Sequence, residues 1–257
     1  MRGANMKRVL TTAVALTFLA LGLTGAPAAH ATSPTVVTIG FDDGYADQYQ
    51  VMAILGAYGL HATFYINSGF INTADHLRWR QVRRLELGGN EIAGHTTYHS
   101  NVKKLKLAPA TEAICGDRDA ITAKIVTPPV SFAYPFGSFN DRAKGVVASC
   151  GYTSGRGVSG VDDRKTFAET IPPLDPFATR TPPNPKQGTT VATIESYVTA
   201  AEDNGGGWVQ LVFHHVCDQC DAYSITPANL DELAAWLAPR AANGTVVMTT
   251  AQVMASA

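Results

Sequence analysis

Short apolar runs alternate with helix-patterned segments along nearly the whole chain, and this alternation restricts the fold more than any other feature. Residues 36–41, 62–67, 91–94, 130–134, 152–154, 208–213 and 246–248 read as strands. Between them lie helical patterns. Residues 47–58 carry apolar side chains at 51, 54, 55 and 58 and close on Gly59; residues 78–87 stop at Gly88-Gly89. Residues 108–124, 141–149, 193–204 and 227–237 complete the helical set. Strands separated by helices pair in parallel, so the expectation is an α/β fold, a distorted (β/α) barrel with about seven parallel strands. A site on such a sheet gathers at the C-terminal ends of the strands. Residues 171–188 hold six prolines and read as a long surface loop rather than a domain boundary. No internal repeat is visible.

The first 31 residues stand apart. Arg2, Lys7 and Arg8 precede a mostly apolar run over residues 9–23, and Ala29-His30-Ala31 has the small-x-small pattern of a signal-peptidase site. The run is shorter than the ~20 apolar residues a membrane span needs. The sequence therefore predicts a signal peptide over 1–31, a single domain over 32–257 and secretion, with no membrane association once the signal is removed. The full chain of 257 residues has a net charge of −1; loss of three basic residues leaves 17 basic against 21 acidic. With no basic block, nucleic acid is excluded as a partner. Nothing in the sequence sets the oligomeric state.

Export implies an oxidising compartment for Cys115, Cys150, Cys217 and Cys220. The simplest pairing is Cys115–Cys150 with Cys217–Cys220, although four cysteines allow three connectivities. Cys217-Asp218-Gln219-Cys220 is also the spacing of half a zinc site or of a redox pair. Against these, the other two zinc ligands are not nearby in sequence, and the segment reads as a loop rather than a strand leading into a helix.

Three strand ends carry candidate chemistry. Asp42-Asp43 closes the first strand, followed by Gly44. Adjacent strand positions point to opposite faces, so both carboxylates serve one site only if the strand is ending; otherwise this is a solvated acidic turn. His95 and His99 follow the third strand, four residues apart. With a carboxylate they make a His2Asp set with an open position, as in hydrolytic zinc sites. Two surface histidines fit that spacing equally well. His214 closes the strand 208–213, where an imidazole at the sheet mouth suits a general acid; a rim histidine is the alternative.

Taken together, FDDG at 41–44, HTTYH at 95–99, FAYPFG at 132–137 and LVFHH at 211–215, each after a strand, resemble the NodB-type polysaccharide deacetylase family, carbohydrate esterase family 4. The likeness runs from about residue 36 to 253. It implies a hydrolase of carbon–nitrogen bonds other than peptide bonds, removing N-acetyl groups from an N-acetylglucosamine-containing poly- or oligosaccharide of chitin or peptidoglycan type. The alternatives are O-deacetylation of acetylated xylan, or a non-catalytic secreted sugar-binding protein. The resemblance further implies one divalent metal, usually Zn²⁺ with Co²⁺ or others possible, held by Asp43, His95 and His99. Asp42 would be the general base and His214 the general acid. Tyr134, Pro135 and Phe136 would shape the sugar groove, with the Phe136 N–H at the oxyanion.

Two departures accompany the likeness. The third motif of the family often carries an Arg that contacts the base, and Ala133 stands there; Arg156 and Arg180 are candidate replacements. The Asp-x-x-Asp-Trp motif that orients the catalytic His is missing, and Asp162, Asp163 and Asp175 are candidate substitutes. Trp208 and Trp236 read as core, whereas Trp79 and Tyr223 are candidates for a groove wall or pocket edge.

Overall fold

The computed structural model describes Met1, residues 34–162 and residues 164–257. Residues 2–31 of the expected signal segment, and Asp163, lie outside the described residues. β1 (Thr35–Asp43) is buried along its full length and is the hub of the sheet. One of its edges pairs with β7 (Gly207–Phe213), and the other is shared by β10 (Thr245–Val247) and β2 (Thr63–Ile66). From β2 the sheet continues through β3 (Glu91–Gly94), β4 (Ser131–Ala133), β5 (Ser154–Gly160) and β6 (Thr179–Thr181). All pairings are parallel, so the distorted (β/α) barrel forms, with eight strands among the described residues.

Side chains alternate with period two. Val37, Ile39 and Phe41 of β1, Phe64 and Ile66 of β2, and Val209, Leu211 and Phe213 of β7 form one apolar cluster with residues of the surrounding helices. Those helices are α1 (Val51–Gly56), α2 (Trp79–Leu87), α3 (Leu107–Thr122), α5 (Val191–Asp203) and α6 (Pro227–Leu237), while α4 (Asp141–Ser149) packs with Ile114 of α3 and Phe132 of β4 in a second cluster. The intervening residues face the barrel interior. There the Trp208 indole donates to the Thr38 hydroxyl at 3.1 Å, and Tyr65 packs with Ala93 and Ala133.

The ends of the barrel differ. At the N-terminal end, α7 (Thr250–Ser256) closes the interior: the Thr250 hydroxyl meets Tyr65 Oη at 2.8 Å, and the Ala251 N–H donates to the buried Glu91 carboxylate at 2.8 Å. Neither α7 nor β6 is foreshadowed in the sequence pattern, since each is short. β6 lies inside the stretch expected to be irregular, and β5 runs to residue 160 although SGRGVSG has almost no apolar side chains. The helix expected over 47–58 is instead a 3₁₀ turn at Ala46–Gln50 followed by the short α1.

The two sheet edges are joined by side chains. Glu169 makes a two-way backbone pair with Trp208, at 2.9 and 2.8 Å, while its carboxylate accepts the Arg180 backbone N–H, Nε and Nη2. Gln210 Nε2 donates to the Arg180 carbonyl at 2.7 Å. Two disulfides are present. Cys115–Cys150 ties α3 to the end of α4, and Cys217–Cys220 closes the loop between β8 (His215–Val216) and β9 (Ser224–Ile225). Among the described residues, no helix is long and apolar enough to cross a membrane.

Candidate active site

At the C-terminal end of the barrel, β1 ends on Asp43, whose φ is +76°, and Gly44 follows at +73°. A left-handed residue at the strand's last position breaks the two-face alternation, so Asp42 and Asp43 both line one pocket of about 470 Å³. His95, His99, Tyr134, Phe136 and His214 share that pocket, together with Tyr45, Asn184, His215, Asp221 and Tyr223.

Asp43 sits between the two imidazoles. Its Oδ1 is 3.4 Å from Nε2 of His95 and 3.4 Å from Nε2 of His99. His95 is 2% exposed and its Nδ1 is 2.8 Å from the Ala133 carbonyl, which aims Nε2 at Asp43. Anchoring the second nitrogen in this way is the usual arrangement of a metal-ligating histidine. Burial pushes the Asp43 carboxyl up, but the His95 hydrogen bond and the surrounding imidazoles hold it well below the ordinary carboxylate range. One carboxylate oxygen and two imidazole nitrogens within 4.8 Å of one another are a donor set that fits a single divalent cation.

The His95 segment is fixed from behind. Asp117, buried on α3, accepts the backbone N–H groups of His95 at 3.1 Å and Ser68 at 2.9 Å. Burial, partly countered by those hydrogen bonds, pushes its carboxyl up to about 6. Asn67 Nδ2 donates to the carbonyls of His95 and Thr96.

Asp42 pairs with Arg156. The Arg156 Nη2 is 2.5 Å from Asp42 Oδ1, both residues are 2% exposed, and the guanidinium lies 4.6 Å over the Tyr65 ring. Of the two arginines considered from sequence, Arg156 is thus the one against Asp42, while Arg180 is engaged by Glu169 at the sheet edge. Gln48, fully buried, donates through Nε2 to the Asp42 carbonyl at 2.5 Å and the His214 carbonyl at 2.7 Å, joining the ends of β1 and β7. No sequence signal marks Gln48 or Asp117, because their partners are backbone groups distant in the chain.

His214 lies at the pocket wall, its ring 5.2 Å from Tyr223. Its Nδ1 is buried with no hydrogen-bond partner among the described residues. Burial holds the imidazole below its ordinary pKa, against the opposing pull of Asp42 and Asp43. Asp162 caps the N–H groups of Arg164 and Lys165, and Asp175 pairs with Lys144 at 2.9 Å. Neither of these two reaches His214.

Tyr134 is buried, donates to the Phe177 carbonyl at 3.0 Å and stacks on Phe139, and Pro135 is buried behind it. Phe136 alone of the three is exposed, at 63%, with φ +60° and its ring edge-on to His99 at 4.4 Å. Trp208 is core, and Trp79 and Trp236 pack half-buried against the main cluster. Tyr45, beside Asp43 and unremarked in the sequence, has its phenol pushed up to about 12 by burial and the Asp43 and Asp221 carboxylates.

Residues 29–155, just under half of the chain, match the family model described as polysaccharide deacetylase. It is 27% identical over 124 residues to a putative polysaccharide deacetylase, YxkH, of Bacillus subtilis (strain 168), covering 48% of this chain and 44% of that protein. A chitin deacetylase of Pestalotiopsis sp is 27% identical over 123 residues, covering 47% and 41%. The chain thus spans under half the length of these curated relatives. A family 4 acetyl xylan esterase from Clostridium thermocellum, in complex with a cobalt ion, has the same fold, with a TM-score of 0.58 at 18% identity over 86% of this chain and 91% of that one.

Proposed function

We propose that this protein is a secreted, metal-dependent hydrolase that removes N-acetyl groups from an N-acetylglucosamine-containing poly- or oligosaccharide. The observation that carries the reading is the convergence of Asp43, His95 and His99, with Asp42 and His214 in the same pocket. The signal-like segment 1–31 and the paired cysteines support export, and residues 32–257 form the catalytic domain.

In this mechanism Asp43, His95 and His99 would hold one divalent cation, most simply Zn²⁺. When bound it supplies Lewis-acid polarisation of the acetyl carbonyl and acidifies water. Asp42, fixed through Oδ1 by Arg156, accepts the proton of the attacking water on Oδ2. The Phe136 N–H faces the developing oxyanion. His214 then donates a proton to the departing amine, and the exposed Phe136 and Tyr223 rings border the sugar.

One observation favours a second reading, O-deacetylation as of acetylated xylan. His214 has no partner on Nδ1 among the described residues and burial holds it below its ordinary pKa, so at a given pH less of it is protonated than of a free imidazole, and amine departure demands more from the acid than alkoxide departure does. Acetate release from chitooligosaccharides, peptidoglycan and acetylated xylan, with and without chelator, separates the readings. Chelation is expected to abolish release. Asp42→Asn should lower kcat by about 10²–10⁴-fold with the metal retained. Full activity in chelator would sink the mechanism.

A further inference from the structure

A second group of ligand-type side chains adjoins the pocket and shares His215 with its wall. Asp47, His215, Cys217 and Cys220 each bring one donor atom within 4.8 Å of the other three. The two cysteines come from the Cys-x-x-Cys loop after β8, His215 from β8 itself, and Asp47 from the 3₁₀ turn after β1. His215 precedes Cys217 by two residues, and the fold adds Asp47, 168 residues away from His215 in the chain.

The site is built from behind in the manner of a ligand sphere. His215 Nδ1 is 2.6 Å from Asp47 Oδ2, and its ring stacks on Tyr45 at 3.7 Å. Asp47 Oδ1 accepts the Val216 N–H at 3.3 Å, and Gln50 Nε2 donates to the Val216 carbonyl at 2.7 Å. A structural disulfide explains why Cys217 and Cys220 face one another. It does not explain why the Asp47 carboxylate, 168 residues from His215 in the chain, lies against the same sulfurs. The Cα atoms of the two cysteines are 5.9 Å apart, and Cys-x-x-Cys is a spacing from which two thiolates hold one tetrahedral ion. Two thiolates, one imidazole and one carboxylate suit zinc, a borderline-soft ion, better than magnesium or calcium.

We propose that Asp47, His215, Cys217 and Cys220 form a second, thiol-dependent zinc site, closed by the disulfide and opened by a dithiol reductant. In the opening step the dithiol gives two electrons and two protons. The Cys217–Cys220 S–S bond breaks, two S–H bonds form, and the reductant leaves as its own disulfide. Zinc binding then forms two Zn–S bonds and releases both thiol protons to solvent.

Cobalt substitution tests this on the whole protein, because cobalt–thiolate absorption in the near ultraviolet reports sulfur ligation and Asp43, His95 and His99 contain no sulfur. Metal-free protein is titrated with Co²⁺ as isolated, and again after dithiol reduction and removal of the reductant under anaerobic conditions. Reduction is expected to add one equivalent of bound metal together with that absorption. Cys217→Ser/Cys220→Ser should lose both, and His215→Ala should weaken the added equivalent by at least about 10-fold, the scale on which even outer partners of a ligand act. A second variant covers the case in which reduction of Cys115–Cys150 unfolds the protein. Cys220→His cannot form the 217–220 disulfide and should bind the extra equivalent with no reductant present. No added metal in that variant overturns the proposal. So does an added equivalent whose affinity is unchanged by both His215→Ala and Asp47→Asn, since the site would then be the thiols alone.

Discussion

The Asp42–Arg156 pair has the largest consequence of any single contact at the site. Both groups are 2% exposed, so removing one leaves the other as an unpaired charge in the barrel interior. Arg156→Met should lower unfolding stability by about 3–5 kcal/mol in urea melts, and reduce kcat because Asp42 loses its orientation. Arg180→Met, at the sheet edge, should spare kcat; equal kcat losses in the two variants would refute the assignment of Arg156 to Asp42. His214 makes a prediction of opposite character. A proton donor acts only while protonated, and burial holds this imidazole below its ordinary pKa. The kcat/KM is therefore expected to fall as pH rises through that lowered value, giving an optimum on the acid side of an ordinary histidine. A rate rising through the same range would exclude His214 as the donor. Asp42, Asp43, His95, His99 and His214 were each legible because strand ends advertise them. Asp117 and Gln48 were not, because a buried side chain that holds remote backbone groups leaves no periodic mark.

Elements with a strong apolar period were read to within a few residues, as at α2, α4 and α6. β6 was not, for a physical reason. Its three residues are held by Glu169 and Gln210 rather than by an apolar face, and no pattern encodes such contacts. Glu169 binds β6 to β7, and its stability contribution has a definite pH sign. Burial raises its pKa, but the Arg180 hydrogen bonds and charge outweigh burial and hold it below the usual glutamate value. The stabilisation is thus present above the unfolded glutamate pKa, near 4.5, and is lost as pH falls through the lowered folded value. Thermal melts of Glu169→Gln should show a lower Tm at neutral pH and a difference from the parent that shrinks on acidification. A constant difference at all pH values would rule out the ion pair as its source.

For the molecule as a whole, Cys115–Cys150 links α3 to the end of α4 through cysteines 35 residues apart in sequence. Replacing both by Ser should cost about 2–4 kcal/mol through the greater freedom of the unfolded chain, measured by denaturant titration; no loss would show the bridge to be structurally idle. The sequence alone determined the α/β class, the parallel sheet and the strand ends where chemistry gathers, because period-two and period-3.6 patterns are local records of which face is buried. Tertiary structure alone decided which arginine meets Asp42, that neither Asp162 nor Asp175 meets His214, and that Asp47 completes a ligand set with His215, Cys217 and Cys220. Each of these depends on side chains from elements far apart in the chain. Closure of the barrel, and not any local pattern, brings them within bonding distance.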